Sequence, residues 1–180
     1  MTSDANIKII IVMGVSGSGK TTIARALASR IGFAMRDGDD DHPPANIAKM
    51  KAGFPLTDED RLPWLKTIAD TIERHAENGP PLVIACSALK RVYRTLLVHG
   101  RKDVRIVFLQ GSVELIAQRL KRRGGHFMPP ALLESQLKTL EPPQPDEFAI
   151  SVDIDASVER IVDKIVAALD LPDTSRVRTP

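Results

Sequence analysis

The sequence predicts an α/β fold, a single parallel five-stranded sheet covered by helices on both faces, and three features predict it. Apolar, strand-like runs alternate along the chain with segments of helical spacing, the pattern of parallel strands joined by helical crossovers. The first run, Ile7-Lys8-Ile9-Ile10-Ile11-Val12-Met13, is almost continuously apolar, as a strand buried on both faces must be. Directly after it, Gly14-Val15-Ser16-Gly17-Ser18-Gly19-Lys20-Thr21 leads into Thr22-Ile23-Ala24-Arg25-Ala26-Leu27-Ala28, whose apolar spacing is helical.

The loop matches the pattern G-x-x-x-x-G-K-[ST]. Its glycines let backbone N–H groups close around a polyphosphate, Lys20 reaches the terminal phosphates and the Thr21 hydroxyl binds Mg²⁺. The helix that begins there aims its positive dipole end and free N–H groups at the same point. A Gly/Ser turn with no ligand is the plainer alternative, and the strand-loop-helix context disfavours it. A short second strand is expected near Phe33 to Arg36, and later strands at Leu82 to Cys86, Val104 to Leu109 and Phe148 to Asp153. Helices are expected at about Asp58 to Asn78, Lys90 to Val98, Val113 to Arg122, Pro130 to Leu140 and Ser157 to Leu169. Thr57 with Asp60 forms a capping-box pattern, and Pro63 sits in the first turns, where proline is tolerated. Residues 1–170 are read as one domain; the tail from Leu171 to Pro180 is polar, carries proline and is expected to fray.

At 180 residues the chain is long enough for one well-buried domain and short for two. Its 43% hydrophobic and 27% charged content argue against a disordered or a membrane protein. The longest apolar run is too short to span a bilayer, no basic segment precedes a cleavable apolar one, and a cytoplasmic setting with no membrane partner is expected. A net charge of +2 argues against a nucleic-acid partner. One cysteine, Cys86, excludes an intramolecular disulfide and a cysteine-rich zinc site.

Ligands in such folds bind beyond the carboxyl ends of the strands. After the second strand comes Asp37-Gly38-Asp39-Asp40-Asp41-His42-Pro43-Pro44, whose carboxylates suit a Mg²⁺ ligand and a base for an attacking hydroxyl, against the plain alternative of an acidic helix-capping loop. Arg61 offers a fork of donors for a carboxylate or phosphate, or else an ion pair with Asp58 or Glu59; the single Trp, Trp64, is read as core. Where many phosphate-loop enzymes carry a Walker B aspartate, this chain has Cys86-Ser87, so the magnesium carboxylate must come from elsewhere, with Asp37 the first candidate. Cys86 itself reads as a buried small hydrophobe. Lys90 and Arg94, four apart on one helix face, combine with Arg61 into a candidate cationic pocket for an anionic acceptor, each with a solvated surface cation as its alternative. The basic helix end and Gly pair of Arg119-Leu120-Lys121-Arg122-Arg123-Gly124-Gly125-His126 suit a lid at about 119–131 that closes over ATP. His42 and His126 fall within site segments, whereas His75 and His99 have no ligand-like neighbours.

Several motifs together resemble the gluconokinases, small P-loop NTPase-type carbohydrate kinases related in fold to shikimate and nucleoside-monophosphate kinases. Besides Gly14 to Thr21, these are Asp37-Gly38-Asp39 with His42-Pro43; Asn46 with Lys49-Met50 and Gly53; Pro55-Leu56-Thr57-Asp58-Glu59-Asp60-Arg61-Leu62-Pro63-Trp64-Leu65; Cys86-Ser87-Ala88-Leu89-Lys90; Tyr93-Arg94; Gly125-His126-Phe127-Met128; and Ser135-Gln136 with Leu140-Glu141-Pro142. They cover roughly residues 8–169. The resemblance implies a homodimeric enzyme that transfers the γ-phosphoryl group of ATP to the 6-hydroxyl of D-gluconate, with Mg²⁺. Gly14, Val15, Ser16, Gly17, Ser18, Gly19, Lys20, Thr21 and Thr22 would form the ATP site with Arg119 and Arg123, and Lys20, Asp39 and Arg123 would act in catalysis. Thr21 and Asp37 would serve the metal; Asp39, His42, Arg61, Lys90, Arg94 and His126 would hold the acceptor. The chain departs from the family at Thr95-Leu96-Leu97-Val98, where Asp-x-Leu-Arg often follows the Tyr-Arg pair, and at Gly124, where a cation often stands.

Overall fold

The computed structural model describes residues 6–122 and 130–174. Five strands, β1 (Ile9–Met13), β2 (Ala34–Asp37), β3 (Leu82–Ala85), β4 (Val104–Gln110) and β5 (Ala149–Asp153), form one sheet in the order β2-β3-β1-β4-β5, and every neighbouring pair is parallel. The helices are α1 (Lys20–Ile31), α2 (Pro44–Lys51), α3 (Asp58–Glu77), α4 (Arg91–Val98), α5 (Val113–Arg122), α6 (Pro130–Thr139) and α7 (Val158–Ala168).

Alternation along the strands divides the apolar residues between two cores. Ile10, Val12, Val83, Ala85, Val107 and Leu109 face one layer, filled by α1, α7 and residues of α5 and α6. Ile9, Ile11, Met13, Leu82, Ile84, Ile106 and Phe108 face the other, filled by α3 and α4. Each fully buried Ile or Leu contributes about 1.5–3 kcal/mol, so these two layers rather than surface ion pairs hold the sheet. β1, central and wholly buried, is flanked by β3 and β4, and the crevice between the loops that leave its neighbours opens beyond its carboxyl end.

The expected strands and helices all form, with ends shifted by one or two residues. β3 ends at Ala85, although the Cys86 N–H still donates to the Val12 carbonyl at 3.0 Å. The capping box is present in both directions: Asp60 N–H donates to Thr57 Oγ1 at 3.2 Å and Thr57 N–H to Asp60 Oδ2 at 2.8 Å. The helix α2 was not expected from the sequence. Its first residue is Pro44, allowed because a helix's first N–H needs no partner, and its exposed faces leave only Asn46 buried, so no apolar period marks it.

Leu171 is buried, Arg30 Nε donates to Asp173 Oδ1 at 2.7 Å, and Thr174 Oγ1 donates to the Arg30 carbonyl at 2.7 Å. Residues 175–180 lie outside the described residues. Among the described residues no helix is long and apolar enough to cross a membrane.

Candidate active site

Backbone geometry builds the first half of the site. Between β1 and α1 the chain reverses through Gly17 (φ 85°) and Gly19 (φ 93°), a region that favours glycine, and a Cβ at Gly17 would lie 2.7 Å from Leu120 Cγ. Gly19 is the N-cap of α1 and supplies no side-chain cap, so the first turn of the helix opens into the loop. Lys20 folds back over the loop, its Nζ donating to the Val15 carbonyl at 3.1 Å. Gly14 N–H donates to the Ser87 carbonyl at 3.4 Å, which ties the loop to the end of β3. Within the loop Val15 and Ser18 are buried, and Ser18 Oγ has no hydrogen-bond partner among the described residues. Thr22 lies exposed on the first turn of α1.

One sequence expectation changes here. Ser16 N–H, expected to face a phosphate, donates instead to Gln136 Oε1 at 2.7 Å, while Gln136 Nε2 donates to Ser16 Oγ at 3.1 Å. The Ser18 N–H likewise turns inward, donating to the Val15 carbonyl at 3.2 Å.

The turn after β2 stands against the loop. Thr21 Oγ1 donates to Asp37 Oδ2 at 2.6 Å, and Asp37 Oδ1 accepts the Asp39 N–H at 3.0 Å. The four carboxylates of this turn thereby acquire different settings. Asp37 is fixed by the loop, Asp41 pairs with Arg36, Asp40 is exposed, and the Asp39 side chain is 68% exposed with Oδ1 3.9 Å from His42 Nε2. His42 stacks on Trp64 with centroids 4.1 Å apart and planes at 14°, and Trp64 Nε1–H donates to the Gly38 carbonyl at 2.7 Å. Trp64 is core, as expected, and also braces the acidic turn. Asn46 Nδ2 donates to the Asp60 carbonyl at 2.8 Å and lies 3.4 Å from His42 Nδ1. An amide nitrogen only donates, so this contact puts the His42 proton on Nε2, toward Asp39. Burial pushes the His42 imidazole below its ordinary pKa, with Asp39 opposing and Arg61 reinforcing the shift.

Side chains from α3 and α4 build the other half. Arg61 Nη1 donates to Tyr93 Oη at 3.3 Å, the Tyr93 hydroxyl donates to Asp58 Oδ1, and Lys90 Nζ donates to both Asp58 oxygens at 2.9 Å. Arg61 and Lys90 each lie 5.7 Å from the Tyr93 ring centroid. The bonds from Tyr93 and Lys90 hold the Asp58 carboxyl below the usual range; the bond to Asp58 raises Lys90; and burial, with Asp58 adding to it, raises the Tyr93 hydroxyl. Arg61 thus meets Tyr93 rather than the ion pair with Asp58 or Glu59 that the sequence allowed.

Arg94 does not join this cluster. It is 1% exposed, its Nε and Nη2 grip Glu147 at 2.6 and 3.0 Å, and its Nη1 donates to the carbonyls of Ala88, Leu89 and Glu141. Its fork is taken up by an internal brace, so the acceptor role expected from its spacing with Lys90 is corrected to a structural one. Arg119 lies beside the loop, with Nη1 3.7 Å from where a Cβ on Gly19 would stand and Nη2 donating to the Ile154 carbonyl at 2.6 Å. Arg123 and His126, and most of the expected lid, lie outside the described residues. Burial pushes the Cys86 thiol up to about 12, which excludes a thiolate nucleophile at neutral pH. Asp58, Tyr93, Asn46 and Gln136 were not singled out from the sequence as site residues. The only signal for them was their place inside the quoted motifs.

A sequence model of the AAA domain matches residues 9–143. The gluconokinase of Gluconobacter oxydans is 45% identical over 159 residues, covering 88% of this chain and 89% of that protein. The chain belongs to the gluconokinase family. A probable gluconokinase of Mus musculus is 43% identical over 178 residues, covering 89% of this chain and 97% of the mouse protein. The crystal structure of a gluconokinase from Sinorhizobium meliloti superposes with a TM-score of 0.83 at 44% identity, over 93% of this chain and 94% of that one. Membership of the gluconokinase family bears out the resemblance drawn from the motifs, and the sheet order is that of a phosphate-loop kinase fold.

Proposed function

We propose that this protein transfers the γ-phosphoryl group of ATP to the 6-hydroxyl of D-gluconate, giving 6-phospho-D-gluconate and ADP. The acceptor oxygen forms the new bond to phosphorus, the bond to the β-phosphate oxygen breaks, and the hydroxyl proton passes to Asp39. One observation carries the assignment: Thr21 bonds to Asp37, Asp37 to the Asp39 N–H, and Asp39 stands 3.9 Å from His42, whose imidazole feels the charge of Arg61 in the Arg61-Tyr93-Asp58-Lys90 cluster. A backbone cradle for polyphosphate thus adjoins an exposed carboxylate and two cations suited to a sugar acid.

The N–H groups of Gly17, Gly19, Lys20 and Thr21 hold the phosphates, and the Lys20 side chain neutralises charge on the transferring group. Arg119 borders the nucleotide. Asp39 orients the hydroxyl; a carboxylate of ordinary basicity suffices, because the alcohol gains acidity as the bond forms. Arg61 and Lys90 bind the acid end of gluconate, and His42, neutral with its proton on Nε2, offers a hydrogen bond to a hydroxyl.

Thr21 and Asp37 fit Mg²⁺. They are oxygen donors already in contact, and the described residues contain no group of three or more His, Cys, Asp or Glu that would hold a metal unaided. A small hard cation that keeps most of its ligands as water and substrate phosphate suits such a sparse donor set. When bound, Mg²⁺ supplies charge neutralisation on the phosphates. A homodimer in the cytoplasm, supported by the family resemblance, completes the assignment, and light scattering at twice the mass of one chain checks the dimer.

ADP release is the test, with D-gluconate, shikimate and a nucleoside monophosphate as acceptors, with and without Mg²⁺. Gluconate turnover that requires Mg²⁺ is expected. Strong turnover of another acceptor without gluconate turnover would overturn the assignment, and ATP binding without turnover of any sugar acid would favour a nucleotide-binding module.

A further inference from the structure

One peptide unit of the phosphate loop is gripped at both ends. The Val15 carbonyl accepts from Lys20 Nζ at 3.1 Å and from the Ser18 N–H at 3.2 Å. The N–H of the same peptide, on Ser16, donates to Gln136 Oε1 at 2.7 Å. Gln136 reaches the loop from α6, 120 residues later in the chain. Its amide orientation is fixed by chemistry, because a backbone N–H only donates and must therefore meet the amide oxygen, which turns the amide nitrogen to Ser16 Oγ at 3.1 Å.

We propose that Gln136 is a positioning residue for phosphoryl transfer: it sets the orientation of the Val15–Ser16 peptide and, through its carbonyl, the place of the Lys20 ammonium. The inference rests on the ATP-dependent reading of the loop. Gly14 and Gly17 on either side of this peptide both have positive φ, so the chain entering and leaving it is weakly restrained by sterics. A two-point clasp from a packed helix supplies the restraint that the glycines lack. It also removes from ATP binding part of the entropy cost of ordering the loop, which is how preorganisation raises affinity.

Docking of α6 does not need this clasp. Leu132 and Leu133 are buried, Leu133 and Leu137 pack into the α1-side core, and the following Glu141 N–H donates to the Leu89 carbonyl at 2.8 Å. The effect of Gln136 therefore falls on the loop rather than on the helix that carries it.

Gln136→Met keeps the length and bulk of the side chain and removes both hydrogen bonds. Calorimetric titration with ATP and steady-state kinetics with each substrate varied are expected to show ATP affinity weakened on the order of tenfold and kcat lowered, from the loss of two hydrogen bonds. The KM for gluconate stays within about twofold, as a change confined to the nucleotide half requires. Ser16→Ala, which keeps the N–H bond and loses the hydroxyl one, gives a smaller shift in the same direction. Unchanged ATP affinity and kcat in Gln136→Met, tighter ATP binding, or an equal loss for both substrates with a lowered melting temperature would each overturn the proposal. Wild-type protein that binds ATP but leaves gluconate unphosphorylated would overturn the proposed reaction alone, because the ATP titration still compares wild type with Gln136→Met.

Discussion

The two halves of the site are built from different materials. The nucleotide half is backbone: glycines at positive φ, an uncapped helix start and one lysine that bonds to its own loop. The acceptor half is side chain: Arg61 and Asp58 from α3 and Tyr93 and Lys90, from α4 and its N-cap, bound to one another. The first half is contiguous in sequence and tolerates little change of shape; the second spans 35 residues and is held by exchangeable polar contacts. Damage to the first half should therefore stop turnover, while damage to the second should alter the affinity for the acceptor.

The largest effect is expected at Lys20. Lys20→Ala removes the charge that faces the transferring phosphoryl group and should lower kcat by about 10³-fold, with circular dichroism and melting temperature unchanged. Asp39→Asn should lower kcat by about 10²-fold or more, with the KM for ATP little altered; an unchanged kcat would remove Asp39 from its role. Arg94→Ala tests the corrected boundary of the acceptor half. It leaves the partly buried Glu147 carboxylate with the Gln144 N–H but without its guanidinium, and strips the Ala88, Leu89 and Glu141 carbonyls of their shared donor; denaturant unfolding should show a loss of about 2–3 kcal/mol, a loss of fold rather than of gluconate affinity.

A smaller effect concerns pH. Below an ordinary pKa of about 6.5, the unfolded chain protonates His42 more readily than the native protein does, because burial holds the native value down. His42's contribution to stability is complete above that pH and is lost as pH falls below it and through the lower native value. Melting temperature should decline on acidification across this range, and His42→Gln should flatten the decline.

These contrasts also explain what could be read from the sequence. β1 and the phosphate loop were legible because their signals are local, a continuous apolar run and a fixed spacing of Gly, Lys and Thr. Asp37 was legible as a neighbour of the phosphate loop, where it accepts from Thr21, because it ends the strand predicted beside the loop. Arg94 misled because helical spacing gives direction but not depth, and only the fold brings Glu147 and three carbonyls around its fork. Gln136 was hidden for a related reason: its partner, Ser16, is distant in the chain, and an isolated Gln on a helix carries no spacing signal. The helix α2 escaped notice because it buries almost nothing apolar.

The division into two halves is tested most directly by bisubstrate kinetics of Lys90→Ala. Lys90 contacts Asp58 and Tyr93 and is not among the described contacts of the phosphate loop. The KM for gluconate should rise about tenfold, the scale of one charge-assisted contact, with the KM for ATP and kcat near wild type. A rise in the KM for ATP of the same size, or a fall in kcat with the KM for gluconate unchanged, would contradict it.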